Sequence, residues 1–283
     1  MENSAKIELR KFAYEIRLGI LEQLKYLGFG HSGGSLSIAD LLAVLYGKVM
    51  RIDSSHPDWE ERDKLICSKG HAGPAIYSVL ALKGFFPYET LQTLNKPGTI
   101  LPSHCDRLKT PGVDMTAGSL GQGTSVAVGT AFAKKIKGTP ERVFLIVGDG
   151  ESEEGQVWEA AMFASTHHLD NLYWFVDNNQ KQIDGYTNEI IELTNIDERL
   201  RAFGFDTVRI NGNNVETIFD AIEQAQTRLG RPHAFVLDTI KACGVPELEK
   251  TYLNHAANVP FEQWEKWQNA LQEEYEVFLR ENE

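Results

Sequence analysis

The chain has 283 residues, with 28 Lys and Arg against 40 Asp and Glu and a formal net charge of −12 at pH 7. Nucleic-acid phosphates are held by basic stripes, so a chain this acidic and without one excludes a nucleic-acid partner. With 42% hydrophobic and 24% charged residues the composition is that of a soluble globular protein, and no uncharged apolar run nears the ~20 residues of a membrane span.

The N-terminus is charged from Glu2 to Lys11 without an apolar core, so no secretory leader is expected. Cys67, Cys105 and Cys243 form no C-x-x-C pair, which suits reduced thiols in a cytoplasmic setting. Phe12, Ile16, Ile20, Leu24 and Leu27 mark the apolar stripe of a first helix, ended by Gly28 and Gly30. Ser37 with Asp40 reads as a capping box opening a second helix through Val49. A short strand at Lys64–Cys67 and a helix over Pro74–Lys83 follow, then an aperiodic segment, Lys96 to Ala117, long enough to be a site-building loop. Val143–Val147 and Leu172–Val176 are continuous apolar runs, as in strands buried on both faces of a parallel sheet. Helices are predicted over Gln156–Thr166, Ile196–Phe203 and Val215–Leu229, and strands over Thr207–Ile210 and Ala234–Ile240. This alternation predicts an α/β fold: a doubly wound, mostly parallel sheet with helices on both faces, forming one domain over 1–283 that ends in a helix at 260–283.

In such sheets ligands bind beyond the carboxyl ends of the strands. There the chain reads Gly148-Asp149-Gly150-Glu151, where glycines allow close backbone approach and the carboxylate is a hard oxygen donor for Mg2+ or Ca2+. Taken alone this reads first as a strand-to-helix turn with Asp149 as helix cap. About thirty residues on, one βαβ step away, the next strand ends in Asp177-Asn178-Asn179-Gln180-Lys181, which would bring a second oxygen set beside the first.

Gly-Asp-Gly followed by an Asn at this interval resembles the metal and cofactor motif of thiamine-diphosphate enzymes. The first half narrows the resemblance. Gly30-His31-Ser32-Gly33-Gly34-Ser35, Ser68-Lys69-Gly70-His71-Ala72-Gly73, His104 and Gly118-Ser119-Leu120-Gly121-Gln122-Gly123 come in the order found in the diphosphate-binding region of transketolases. The similarity runs from about Phe12 to His255. It implies that Asp149 and Asn179 give side-chain oxygens, and Lys181 a backbone carbonyl, to Mg2+ (or Ca2+ or Mn2+). It further implies that His71, Gly118, Ser119, Leu120, Gly150 and Asn179 meet the thiamine diphosphate, and that His31, His104 and His255 face the sugar. Glu154 matches a buried glutamate of that family at a subunit contact, while Glu151 and Glu153 read as ordinary first-turn acids. Arg107 and Lys109 read as solvated loop charges, and adjacent His167 and His168 as surface residues. The family's late histidine is usually followed by glycine, but here it is followed by Ala256, and Asn179 is followed by Gln180 rather than Gly.

The resemblance implies transfer of a two-carbon ketol unit from a ketose phosphate to an aldose phosphate, either pentose phosphates or an uncommon sugar such as apulose 4-phosphate. A pyrimidine-binding domain is not expected in this chain, so a split enzyme is implied. Its partner would be a C-terminal transketolase subunit carrying that domain, in a heterotetramer of two of each chain. A deoxyxylulose-phosphate synthase or 2-oxo-acid decarboxylase subunit would have less use for His31, His71, His104 and His255 in this order. A nicotinamide-binding protein is disfavoured by the reversed glycine spacing at Gly118-x-x-Gly121-x-Gly123. A non-catalytic scaffold would be expected to have lost some of these residues.

Overall fold

The apolar stripe of the first helix packs as its spacing dictates: α1 (Asn3–Leu27) buries Leu9, Ala13, Ile16, Ile20 and Leu24. It starts nine residues before Phe12, in a stretch where Leu9 alone is buried, too little to mark a stripe. Gly28 ends it in the left-handed region (φ 84°), donating its N–H to the Leu24 carbonyl at 2.8 Å. The computed structural model describes every residue except Thr194 and Glu283.

The chain then runs through β1 (Phe29–Gly30), the single turn α2 (Gly33–Leu36) and α3 (Ala39–Val44), which widens into a π-turn at Leu45–Val49. The expected capping box does not form. Ser37 ends α2 and gives its hydroxyl to buried Asp177 at 2.6 Å, while Asp40 pairs with buried Arg17. Buried polar groups must be partnered, and that demand outranks capping a helix already embedded in the core.

β2 (Lys64–Cys67), α4 (Gly73–Leu82) and the irregular segment 96–117 follow closely the predicted order, and α5 (Gln122–Lys137) comes after them. The second half alternates β3 (Val143–Gly148), α6 (Gly155–Thr166), β4 (Leu172–Asn178), the short α7 (Thr187–Ile190), α8 (Ile196–Ala202), β5 (Asp206–Asn211), α9 (Val215–Gln226) and β6 (His233–Asp238). α9 and β6 stop short of Leu229 and Ile240, which are 82% and 53% exposed and have no core to join. A single turn, α10 (Pro246–Glu249), and β7 (Ala257–Asn258) precede α11 (Phe261–Glu281), whereas only one terminal helix is predicted from the sequence; Glu283, the last residue of that predicted helix, lies outside the described residues.

The five central strands lie in the order β2-β3-β4-β6-β5, all parallel. Their side chains alternate between two cores. Phe144, Ile146, Phe175 and Phe235 pack with α1, α3, α4, α9 and α11, while Leu145, Val147, Trp174 and Val236 pack with α5, α6 and α8. Helices therefore cover both faces, as the fully apolar strands require. The register pairs Gly148 with Asp177, so β3 and β4 end side by side. A separate antiparallel clip, Phe29 with Asn258 and Gly30 with Ala257, ties the end of α1 to the late chain. Among the described residues no helix is long and apolar enough to cross a membrane.

Candidate active site

Asp149 follows β3 and is only 4% exposed. It caps the short 3-10 turn Gly150–Glu153 rather than α6, and it also joins two strand ends: Oδ1 accepts the Gly150 N–H at 2.8 Å, and Oδ2 accepts the N–H of Gln180 beyond β4. Asn179 donates its amide to Asp177 Oδ2 at 2.8 Å and accepts the Lys181 N–H on Oδ1 at 3.2 Å. Asp177 is fully buried, and it also accepts hydrogen bonds from Ser37, Lys69 and Thr239. That carboxylate fixes which way the Asn179 amide points and which oxygen it offers. The Lys181 carbonyl accepts a hydrogen bond from the Lys241 ammonium at 2.6 Å.

Burial raises the Asp149 carboxyl to about 7, and nearby Asp177 adds to the rise. Burial also pushes Asp177 upward, but the Lys69 ammonium and three hydrogen-bonded groups outweigh it and hold that carboxyl below its usual range. Burial brings Lys241 down to about 8, against the pull of Asp149. Two buried lysines, Lys69 and Lys241, thus counter the two buried aspartates.

The donors suit a hard divalent cation: one carboxylate, one amide oxygen and one carbonyl. Among the described residues no three His, Cys, Asp or Glu side chains gather as a metal site, so a cation here would lean on Asp149 and neutral oxygens. An ammonium already occupies the Lys181 carbonyl, evidence that this corner favours positive charge. The space beside it is a cavity of about 120 Å3 whose lining includes Lys69, His71, Leu120, Asp149, Asn179 and Lys241. Its glycines leave room: a Cβ on Gly34 would sit 3.0 Å from His71 Nε2, and one on Gly150 would sit 2.9 Å from Gln182 Oε1. The residues present therefore fit a diphosphate with its cation.

The four predicted histidines converge. His31 has its ring centre 5.6 Å from His71, 5.4 Å from His104 and 5.3 Å from His255, and His71 lies 4.7 Å from His255. The β1–β7 clip explains the long-range part, since His31 directly follows one of its strands and His255 lies two positions before the other. His71 and His255 line the cavity; His31 and His104 extend the cluster outward from it. Burial lowers all four, with His71 further lowered by Lys69 and His255 brought to about 3 by burial and then Lys241. They are neutral imidazoles near pH 7, able to accept or donate one proton each.

This has a stability consequence. An unfolded histidine titrates near about 6.5. Below that pH the unfolded chain takes a proton that folded His255 refuses, so its contribution is present above about 6.5 and lost on acidification at about 1.4 kcal/mol per pH unit. Asp149 acts in the opposite sense, because its raised carboxyl binds a proton in the folded chain first. The difference between wild type and His255→Asn isolates the histidine. In urea melts from pH 7.5 to 5.5, wild type should lose about 1.4 kcal/mol more than the variant. Parallel losses would refute the buried neutral imidazole.

The other predicted residues divide. Leu120 lines the cavity, whereas Gly118 and Ser119 are exposed on its rim, where the Gly118 nitrogen lies 3.0 Å from the place of a Cβ on Gly70. Arg107 and Lys109 are exposed loop residues. Glu151 is buried within the chain itself, whereas Glu154 is exposed on it, as a residue of a contact between chains is on one chain alone. Glu151 accepts hydrogen bonds from Ser68 and from the Gly121 and Gly148 N–H groups at 2.8 and 3.0 Å, tying the Gly118–Gly123 turn to β3. A helix-dipole argument explains none of this; three buried donors do. Lys69, Asp177 and Lys241 belong to the site without being predicted for it. Lys69 lies inside the Ser68–Gly73 motif, and Asp177 and Lys241 lie at or just past strand ends, where the parallel sheet points to ligands.

A parallel α/β sheet whose carboxyl ends gather these groups belongs to the class that receives a cofactor diphosphate at a strand edge. The family described as "Transketolase, thiamine diphosphate binding domain" matches residues 9–279, and the chain belongs to it. It is 51% identical over 259 residues to the 6-deoxy-6-sulfo-D-fructose transketolase subunit SqwG of Clostridium sp. strain MSTE9, covering 92% of this chain and 94% of that one. It is 36% identical over 253 residues to an apulose-4-phosphate transketolase subunit of Phocaeicola vulgatus, covering 89% and 90%. Transketolase from Campylobacter jejuni superposes with a TM-score of 0.83 at 28% identity, over 99% of this chain but 48% of its own. The chain thus spans about half of a full-length transketolase.

Proposed function

We propose that this chain is the diphosphate-binding subunit of a two-chain transketolase, active with a second chain that carries the pyrimidine-binding domain. The observation that carries the reading is the meeting of Asp149, Asn179 and the Lys181 carbonyl with four neutral histidines at one sheet edge, in a chain of this family. Asp149, Asn179 and Lys181 would hold Mg2+, with Ca2+ or Mn2+ as substitutes. Gly150, His71 and the Gly118–Leu120 turn would cradle the diphosphate. When bound, thiamine diphosphate supplies the electron sink that lets a carbon–carbon bond beside a carbonyl break. His31, His104 and His255 face the open side of the cavity, where they would orient sugar hydroxyls and hold or pass their protons.

Two surfaces support the assembly. Ile183 at the cavity is 62% exposed, and Tyr252, packed on Tyr186, and Leu253 are 49% and 53% exposed, apolar surface suited to the pyrimidine-domain chain. Farther out, α5 and α6 expose Val126, Ile136, Met162 and Phe163 beside uncharged Gly129 and Ala133. That stripe suits a second copy of this chain, and the two surfaces together suit two of each chain.

The relative at 51% identity is named for a sulfonated ketose, which favours a 6-deoxy-6-sulfo-ketose donor here over apulose 4-phosphate or ordinary sugar phosphates. With the assembled pair, thiamine diphosphate, Mg2+ and an aldose phosphate acceptor, kcat/KM for 6-deoxy-6-sulfofructose should exceed that for fructose 6-phosphate by at least about 10-fold. Equal or reversed values would remove the sulfonated donor and leave the transketolase reading in place.

A further inference from the structure

Lys241 is placed with unusual care for a lysine. It lies three residues beyond β6, is 4% exposed, and its stem crosses Gly33 so closely that a Cβ there would meet Lys241 Cγ and Cε at 3.0 Å. Its neighbour Ala242 adopts φ 68°, the left-handed region, and donates its N–H to the Gly33 carbonyl at 3.1 Å. The Lys241 carbonyl accepts a hydrogen bond from the buried Asn254 amide at 3.3 Å. All of this delivers Nζ to the Lys181 carbonyl, 2.6 Å away, in the cavity that holds Asp149. A buried ammonium needs a counter-charge, and a buried carboxylate needs a cation. Lys241 and Asp149 line the same cavity and attract each other across it, while the ammonium's direct partner is the Lys181 carbonyl.

We infer that Lys241 is the resident counter-cation of the metal-free site and is displaced from the Lys181 carbonyl when a divalent ion enters. The inference rests on the proposed metal position. A Mg2+ ion sits about 2.1 Å from an oxygen ligand, so ion and ammonium sharing this carbonyl would stand in repulsive proximity. The metal therefore binds against an internal competitor. An anion arriving with the metal offers the released ammonium a new partner, so metal and diphosphate are expected to bind with positive coupling.

Mn2+ is the probe, titrated by electron paramagnetic resonance into the full chain at pH 8, alone and with inorganic pyrophosphate. Lys241→Met should bind Mn2+ at least about tenfold more tightly than wild type without pyrophosphate, and the enhancement that pyrophosphate gives should shrink by a similar factor. Lys241→Gln, which keeps a neutral polar end, should shift in the same direction, and melting curves establish that each variant is folded. Unchanged or weaker Mn2+ binding in a folded variant overturns the exchange. Asp149→Ala separates this from the underlying reading: if that variant binds Mn2+ as wild type does, the metal position itself is wrong. If it loses Mn2+ while the Lys241 variants gain nothing, the position stands and the exchange falls.

Discussion

Replacing Asp149 by Ala should abolish Mg2+-dependent binding of thiamine diphosphate to the assembled complex, weakening apparent affinity by more than about 100-fold. Loss of groups that merely support a metal ligand costs about 10–100-fold, and Asp149 is the one anionic donor of the proposed set. Asn179 and the Lys181 carbonyl are neutral and cannot replace its charge. Its placement is also hard to substitute, because its two oxygens tie Gly150 after β3 to Gln180 after β4. Asp149→Asn is the informative companion. It keeps an oxygen in nearly the same place and removes the charge, so it should hold the local backbone better than alanine yet still lose most of the cation affinity. Calorimetric titration of cofactor in the presence and absence of Mg2+ reads both effects. Affinity within about threefold of wild type in either condition would remove Asp149 from the metal site.

The frame of the fold is legible where local sequence determines burial. Val143–Val147 and Leu172–Val176 have to be strands covered on both faces, since nothing polar interrupts them, and their separation by one βαβ step makes them neighbours. That neighbourhood alone puts Asp149 beside Asn179. Ser37 and Asp40 mislead because a capping box is a local pattern, whereas their partners, Asp177 and Arg17, come from distant positions. Glu151 misleads in the same way: its charge suggests a helix dipole, but its donors are Ser68, Gly121 and Gly148. The two-residue strands β1 and β7 are too short to carry any period, although they bring His31 to His255. Lys241 cannot be found by spacing, because its meaning depends on which loop lies opposite the end of β6. Residues whose role is set by their own strand are visible in the sequence, and residues set by a facing strand end are not.

Acidity does not count against an anionic cofactor. A net charge of −12 coexists with a cavity where Lys69, Lys241 and backbone N–H groups counter Asp149 and Asp177. The proposed site would engage the diphosphate end of thiamine diphosphate and would leave the pyrimidine end to the proposed second chain. In keeping with that division, two relatives that match this chain over nearly their whole length are named as subunits.

If catalysis needs two chain types, turnover must depend on the second chain. The purified 283-residue chain with thiamine diphosphate, Mg2+, a ketose donor and an aldose phosphate acceptor should show no ketol transfer. Titrating in the pyrimidine-domain chain should restore turnover to the ordinary range of about 1–10³ s⁻¹, saturating at equal amounts of the two chains. Turnover by this chain alone within about tenfold of the mixture would show that one chain type suffices.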